Sequence, residues 1–424
     1  MTSLVAGDTD ATPLVVRSTA IPDVGALLSL LPDSGPLAWV RRGQGVVGWG
    51  AAARVEAKGP QRFADAEAWW AEVVAHAVVR DEVDVPGSGL VAFGSFAFAD
   101  EPGSSALVVP EVAVGRRGDT CWVTTIGRGA LPGAPELEKA PVRHGAAEAP
   151  QDVVFTDGAR SGTEWEGVVA DAVRRISAGG LEKVVLARDL VAESTGEIDV
   201  RWPLRQLAEK YPSCWTFHVD GLFGATPEML VRRERGLVTS RVLAGTIRPT
   251  GDDERDLALA ASLARSSKDL EEHEYAVRSV AEALAPHCTS MNVPETPFVL
   301  HLPNVMHLAT DVTGVVADGA HSPTALGLAA ALHPSAAVGG TPTTDAVALI
   351  AEIEGMERGR YAGPVGWIDA AGDGEWGIAL RCGEVDGARV RLFAGCGIVA
   401  DSDPEAELAE SQAKLVPVRD ALEG

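Results

Sequence analysis

The sequence predicts an α+β fold built on antiparallel sheets, and three observations lead there. Short segments rich in β-branched and aromatic residues recur along the chain with turn residues between them. Helical patterns fall between groups of strands, without the regular strand–helix alternation of a parallel sheet. At 424 residues and 46% hydrophobic content the chain can bury a sizeable core, in one large domain or in two to three smaller ones.

In the first half, residues 37–50 (LAWVRRGQGVVGWG), 89–100 (GLVAFGSFAFAD), 106–114 (ALVVPEVAV) and 120–127 (TCWVTTIG) read as strands, and residues 63–79 have helical spacing. Trp69 and Trp70 on that helix are assigned to packing. Residues 128–151, rich in Pro, Ala and Gly, read as a connector or exposed loop. Residues 1–150 are thus a strand-rich N-terminal part, and residues 157–421 carry the chemical signals. No internal repeat is present, which argues against a solenoid.

Past the connector, Ser161 and Glu164 have capping-box spacing, and Val168, Val169, Ala172, Val173 and Ile176 share one helical face that ends at Gly179-Gly180. A strand begins at Lys183, and residues 215–246 read as successive antiparallel strands with Glu228 just after a Thr-Pro turn. One long helix is expected from about Asp252 to Leu284, then a pair of strands over 298–317 and a meander over 363–399 with turns at AGDG and VDGA. In the final helix Pro417 should force a kink or an end unless its missing hydrogen bond is tolerated.

A net charge of -24 argues against nucleic acid or an anionic membrane as partner, although a metal and a few buried cations can still create an anion site. Cys121, Cys214, Cys288, Cys382 and Cys396 are scattered, with no CxxC pair, and read as reduced buried thiols. The N-terminal residues lack export features and no apolar run is long enough to span a bilayer, so the expected location is cytoplasmic. Gly395, Gly397 and Ala400 mimic a dinucleotide fingerprint, but too few residues follow for the rest of that unit.

The chemistry-bearing residues lie late in the chain. Asp269/Glu272 and Glu407/Glu410 are two helical carboxylate pairs, each three residues apart and so on one face. Like charges there repel unless a cation offsets them, so two facing pairs read as a Mg²⁺ clamp; the plainer alternative is two solvated acidic faces. Lys183, Glu228, His307, Arg381 and Lys414 stand in apolar or glycine-rich surroundings. Lys183 and Glu228 could be strand-end charges, His307 a satisfied core histidine, and Lys414 the i,i+4 partner of Glu410.

Taken in order, KVVLAR, ATPEML, VLAGT, KDLEEHE, MHLAT, HPSAAVGGTP, RYAGPVGWID, GEWGIALRC, RLFAGCGIV and AELAESQAKL resemble the chorismate-utilising enzymes, the family of isochorismate, salicylate, anthranilate and aminodeoxychorismate synthases. The resemblance runs from about Thr163 to the C-terminus. It implies an anthranilate synthase component I-like fold, a single large domain of two facing antiparallel sheets flanked by helices, with a Mg²⁺-dependent site between them. It implies Glu272 and Glu410 as metal ligands, with Asp269 and Glu407 assisting directly or through water. It places Gly245, Thr246, His307, Ala337, Gly340, Tyr361, Leu380, Arg381, Gly395, Gly397 and Lys414 around the substrate, with Arg381 anchoring the enolpyruvyl carboxylate.

Within that family, Lys183 stands where isochorismate and salicylate synthases carry the base that activates water. Ala244, before Gly245, replaces the lysine of many aminodeoxychorismate synthases, and Ala337 replaces a threonine associated with pyruvate elimination. Gly339 stands where serine is commoner. The resemblance therefore implies reversible conversion of chorismate to isochorismate, with Lys183 as base and Glu228 as a protonated acid raised in pKa by its apolar neighbours. Salicylate synthase and a catalytically silent chorismate-binding protein are the alternatives. No glutaminase subunit is expected, the chain is a monomer or homodimer, and the product feeds menaquinone or siderophore biosynthesis.

Overall fold

The computed structural model describes residues 12–133, 135, 137, 145–247, 249–301, 305–317 and 322–423, with the side chains of 244, 246, 268, 269 and 272 outside that description. Its strands form one sheet of thirteen and one of ten. In spatial order the larger sheet runs Val154–Asp157, Lys183–Glu193, Arg389–Ile398, Cys382–Asp386, Leu222–Thr226, Trp215–Val219, Pro36–Arg41, Gln44–Trp49, Val112–Arg117, Thr120–Arg128, Leu14–Ile21 and Val78–Asp81, and Gly340–Thr341 pairs beside Lys183. The smaller runs Cys288–Asn292, Met306–Val316, Leu237–Ile247, Met229–Glu234, Gly374–Ile378, Pro364–Asp369, Val91–Ser95, Ser105–Val109 and Ala53–Ala57, with Phe298–His301 also on Met306–Val316. Among the described residues, pairing is antiparallel except between Leu14–Ile21 and Val78–Asp81.

Strands from the two halves of the chain interleave in both sheets. Trp39 pairs with Phe217 in the larger sheet and Phe93 with Trp367 in the smaller. The inner faces of the sheets meet in one core that holds Trp39, Phe93, Phe217 and Trp376, all nearly inaccessible. Trp39 Nε1 donates to Glu375 Oε2 at 2.7 Å, so the buried indole N–H that spans the sheets is satisfied. A second core forms on the outer face of the larger sheet, where Leu204 and Leu207 of helix Arg201–Lys210 and Leu415, Val418 and Leu422 of helix Pro404–Glu423 cover Phe223, Val390 and Leu392. Helices Arg62–His76, Ser267–Leu284 and Ala325–Leu332 cover the smaller sheet.

Local sequence accounts for the elements around the site. Ser161 Oγ accepts from Glu164 N at 3.3 Å while Glu164 Oε2 accepts from Ser161 N at 2.8 Å, so the capping box is complete and helix Gly162–Ser177 starts there. That helix buries Trp165, Val168, Val169, Ala172 and Ile176, close to the expected face. Asp220-Gly221 and Arg235-Gly236 close two hairpins with positive φ at both turn residues, the twist that two-residue hairpins favour.

Two expectations change. The long helix divides into Asp253–Leu263 and Ser267–Leu284. Arg265 N and Ser266 N bond back only three residues, to Ser262 O and Leu263 O, at a Ser-Ser step where hydroxyls compete with the helix for backbone groups. Pro417, in contrast, sits inside helix Pro404–Glu423 without ending it, buried against the second core. No described helix is long and apolar enough to cross a membrane.

Trp165 joins helix to sheet: its ring is fully buried and its Nε1 donates to Ala187 O at 2.9 Å. Trp165→Ala should cost about 3–5 kcal/mol of stability, read by denaturant unfolding; a loss below about 1 kcal/mol would mean that this helix is not anchored through its tryptophan.

Candidate active site

Twice in the second half the chain crosses directly from one sheet to the other, with no helix between the strands, and these two crossings lie side by side. Thr226-Pro227-Glu228 leads from Leu222–Thr226 in the larger sheet to Met229–Glu234 in the smaller, and residues 379–381 lead from Gly374–Ile378 back to Cys382–Asp386. Ile378 N donates to Glu228 O at 3.1 Å and Ala225 N to Arg381 O at 3.1 Å, locking the crossings together. Arg381 holds a positive φ of 48°, a conformation costly for arginine that the flanking strands impose.

The crossings open onto a cavity of about 230 Å³ between the sheets. From the larger sheet come Lys183, Val185, Gly395 and Gly397; from the smaller, Leu243, Gly245 and His307; from connecting segments Glu228, Ala337, Tyr361, Leu380 and Arg381; and from the last helix Glu410 and Lys414. A second cavity of about 270 Å³ adjoins it and shares Lys183, Leu243 and Ala337.

Glycines make room for the two long side chains. A Cβ on Gly397 would lie 2.7 Å from Lys183 Cε, and one on Gly395 would lie 2.8 Å from the Tyr361 hydroxyl. In the structure these glycines admit Lys183 and Tyr361. Tyr361 also stacks on Phe393 at 5.2 Å with an interplanar angle of 9°. Lys414 Nζ pairs with Glu410 Oε1 at 2.6 Å and donates to Gly395 O at 2.9 Å, so the helical pair is also tied to the cavity wall.

Electrostatics separate the titratable groups. Burial pushes the Glu228 carboxyl up to about 7, against the pull of the Lys183, Arg381 and Lys414 charges. Burial, reinforced by Arg381, lowers His307 to about 4, so its ring is neutral at pH 7; as Gly245 O can only accept, Nδ1 at 3.3 Å carries the proton.

Among the described residues, Glu407, Glu410 and Cys396 bring ligand atoms within 4.8 Å of one another. Burial holds the Glu407 carboxyl above its usual range, Ser402 Oγ opposes this at 2.7 Å, and the nearby Glu410 charge adds to it. Two convergent carboxylates suit a hard divalent cation, which relieves their repulsion. Asp269, Glu272 and Thr246 have side chains outside the described residues. Gly340 is not among the described residues lining this cavity: it pairs with Val184 at the edge of the larger sheet, where a Cβ would lie 2.2 Å from Lys183 O.

Arg358 on the cavity wall was not foreseen. Its signal was present: Glu354 and Arg358 have i,i+4 spacing just before Tyr361.

With its pKa raised on folding, Glu228 favours the native state fully below the unfolded value near 4.5 and loses that contribution as pH rises through about 7. Glu228→Gln should therefore gain about 2–3 kcal/mol on wild type between pH 5 and pH 8 in denaturant unfolding; parallel pH curves would show that the carboxyl is not perturbed.

Residues 39–423 match the family described as chorismate binding enzyme. The chain is 42% identical over 263 residues to isochorismate synthase DhbC of Bacillus subtilis, a match covering 59% of the chain and 66% of that protein, just under two thirds of its length. It is 34% identical over 398 residues to the salicylate biosynthesis isochorismate synthase of Pseudomonas aeruginosa, covering 88% of the chain and 82% of that protein. Its fold aligns with MenF, the menaquinone-specific isochorismate synthase from Escherichia coli, at a TM-score of 0.80 and 24% identity, over 97% of the chain and 95% of that structure. The chain belongs to the chorismate binding enzyme family.

Proposed function

We propose that the protein is an isochorismate synthase that interconverts chorismate and isochorismate by adding water at C2 and expelling the C4 hydroxyl. The observation that carries this is a lysine and a carboxyl raised to about 7 on the wall of one cavity, Lys183 from one sheet and Glu228 from the crossing to the other. Relatives bearing the name isochorismate synthase support the same reading.

Lys183, as base, takes a proton from water as oxygen bonds to C2; the ring double bonds shift, and Glu228 protonates the C4 hydroxyl as it leaves as water. One water enters and one departs. Lys183 ends charged and Glu228 ionised, the same proton total as before, so the pair is reset by moving one proton and runs equally in reverse. Arg381 anchors the enolpyruvyl carboxylate with its planar fork, and neutral His307 accepts a hydrogen bond through Nε2. Glu272 and Glu410, with Asp269 and Glu407 assisting, would hold a Mg²⁺ ion, which would supply a Lewis acid for the ring carboxylate.

Because water and not ammonia is the nucleophile, no glutaminase subunit is required. Ala337 on the cavity wall offers no hydroxyl for pyruvate elimination, so the reaction stops at isochorismate. The product serves menaquinone or siderophore biosynthesis in the cytoplasm.

Chorismate incubated with the protein and Mg²⁺ without ammonia should yield a chorismate–isochorismate mixture by NMR; salicylate with pyruvate would replace this reading by salicylate synthase. Lys183→Ala should lower kcat by about 10²–10⁴-fold. Chorismate turnover, which needs Glu228 protonated, should decline as pH rises through about 7, and Glu228→Gln should remove catalysis instead of shifting the profile.

A further inference from the structure

The strand that carries Lys183 has an incomplete edge. Gly340–Thr341 pairs with Lys183 and Val184, and Val154–Asp157 pairs with residues 190–193, but among the described residues no strand covers the stretch between. Backbone groups left open there are costly when buried. Val185 N still donates to Gly339 O at 2.9 Å and Asp189 O accepts from Gly158 N at 3.1 Å, and side chains fill the gap between. Arg358 Nη2 donates to Val185 O at 2.7 Å, Glu354 Oε2 accepts from Ala187 N at 2.8 Å, and Trp165 Nε1 donates to Ala187 O at 2.9 Å.

Arg358 and Glu354 are both buried and joined side-on, Nε to Oε1 at 2.8 Å and Nη2 to Oε2 at 2.6 Å. The guanidinium also donates from Nη1 to Val338 O at 2.9 Å and lies 4.2 Å from the Phe98 ring centroid. Val338 follows Ala337 on the cavity wall, and Arg358 O accepts from Tyr361 N at 3.0 Å. One ion pair thus ties together the strand of Lys183, the Ala337–Val338 turn and the segment of Tyr361.

We infer that the Glu354–Arg358 pair is a positioning device for catalysis: it stands in for the missing strand and holds Lys183 and the Ala337–Val338 wall in register with the substrate. This rests on the isochorismate synthase reading for its chemistry. A lysine at 358 keeps the charge but lacks the fork that reaches a carboxylate and two carbonyls together. A buried pair contributes little net stability compared with a neutral replacement of similar shape, so position and stability can be separated experimentally.

The test uses Arg358→Lys and the double variant Glu354→Gln/Arg358→Met, which leaves no unpaired buried charge and keeps an acceptor for Ala187 N. Both should lower kcat for isochorismate formation by about 10²-fold, the scale of an ångström-level misplacement, with KM for chorismate within about threefold of wild type. Hydrogen exchange should rise at the Ala187 amide in Arg358→Lys, a readout that needs no turnover. Unchanged kcat in a folded variant, a rise in KM with kcat intact, or unaltered exchange at Ala187 would each overturn the inference. If the double variant does not fold, Arg358→Lys decides by the same criteria. Absence of isochorismate from wild type would sink the functional reading instead, while exchange at Ala187 would still test the clamp.

Discussion

Everything at the cavity depends on the two chain crossings between the sheets. A strand that leaves one sheet for another exposes backbone that neither ladder satisfies, and here each crossing supplies the hydrogen bonds the other lacks, Ile378 N to Glu228 O and Ala225 N to Arg381 O. The arrangement forces a charged residue from each crossing into the space between the sheets. Glu228 and Arg381 are thus placed by sheet topology and not by a mobile loop, which suits a site that must hold its geometry to fractions of an ångström.

Burial then divides the labour. The same low-dielectric space raises Glu228 and lowers His307, while the buried Arg358 charge is paired with Glu354. In a protein with a net charge of -24, Lys183, Arg381 and Lys414 are gathered around one cavity beside Glu228 and Glu410, so the sign of the whole chain does not set the sign of the site. The N-terminal half contributes through packing, since its strands continue both sheets.

Much of this was legible in the sequence where the signal was local. The capping box at Ser161, the strand starting at Lys183, the hairpins around Glu228 and the i,i+3 spacing of Glu407 and Glu410 are short-range patterns, and the structure contains each. What required the fold was long-range. The break at Ser266–Ser267 was hidden by continuous apolar spacing. Gly340, placed near the substrate by resemblance, pairs with Val184 at the edge of the larger sheet and is not among the described residues that line the cavity. The Glu354–Arg358 pair was visible only as an ordinary helical spacing, because nothing local reveals an open strand edge 167 and 173 residues away in the chain, at Ala187 and Val185.

The most direct measurement follows oxygen. Chorismate is converted by the protein in H₂¹⁸O with Mg²⁺, and the isochorismate formed is analysed by mass spectrometry after a single turnover. Water activation at Lys183 with departure of the C4 hydroxyl at Glu228 predicts one ¹⁸O atom in the new C2 hydroxyl. Unlabelled isochorismate would mean that the hydroxyl migrates within the substrate, and would contradict a base and an acid acting at separate carbons.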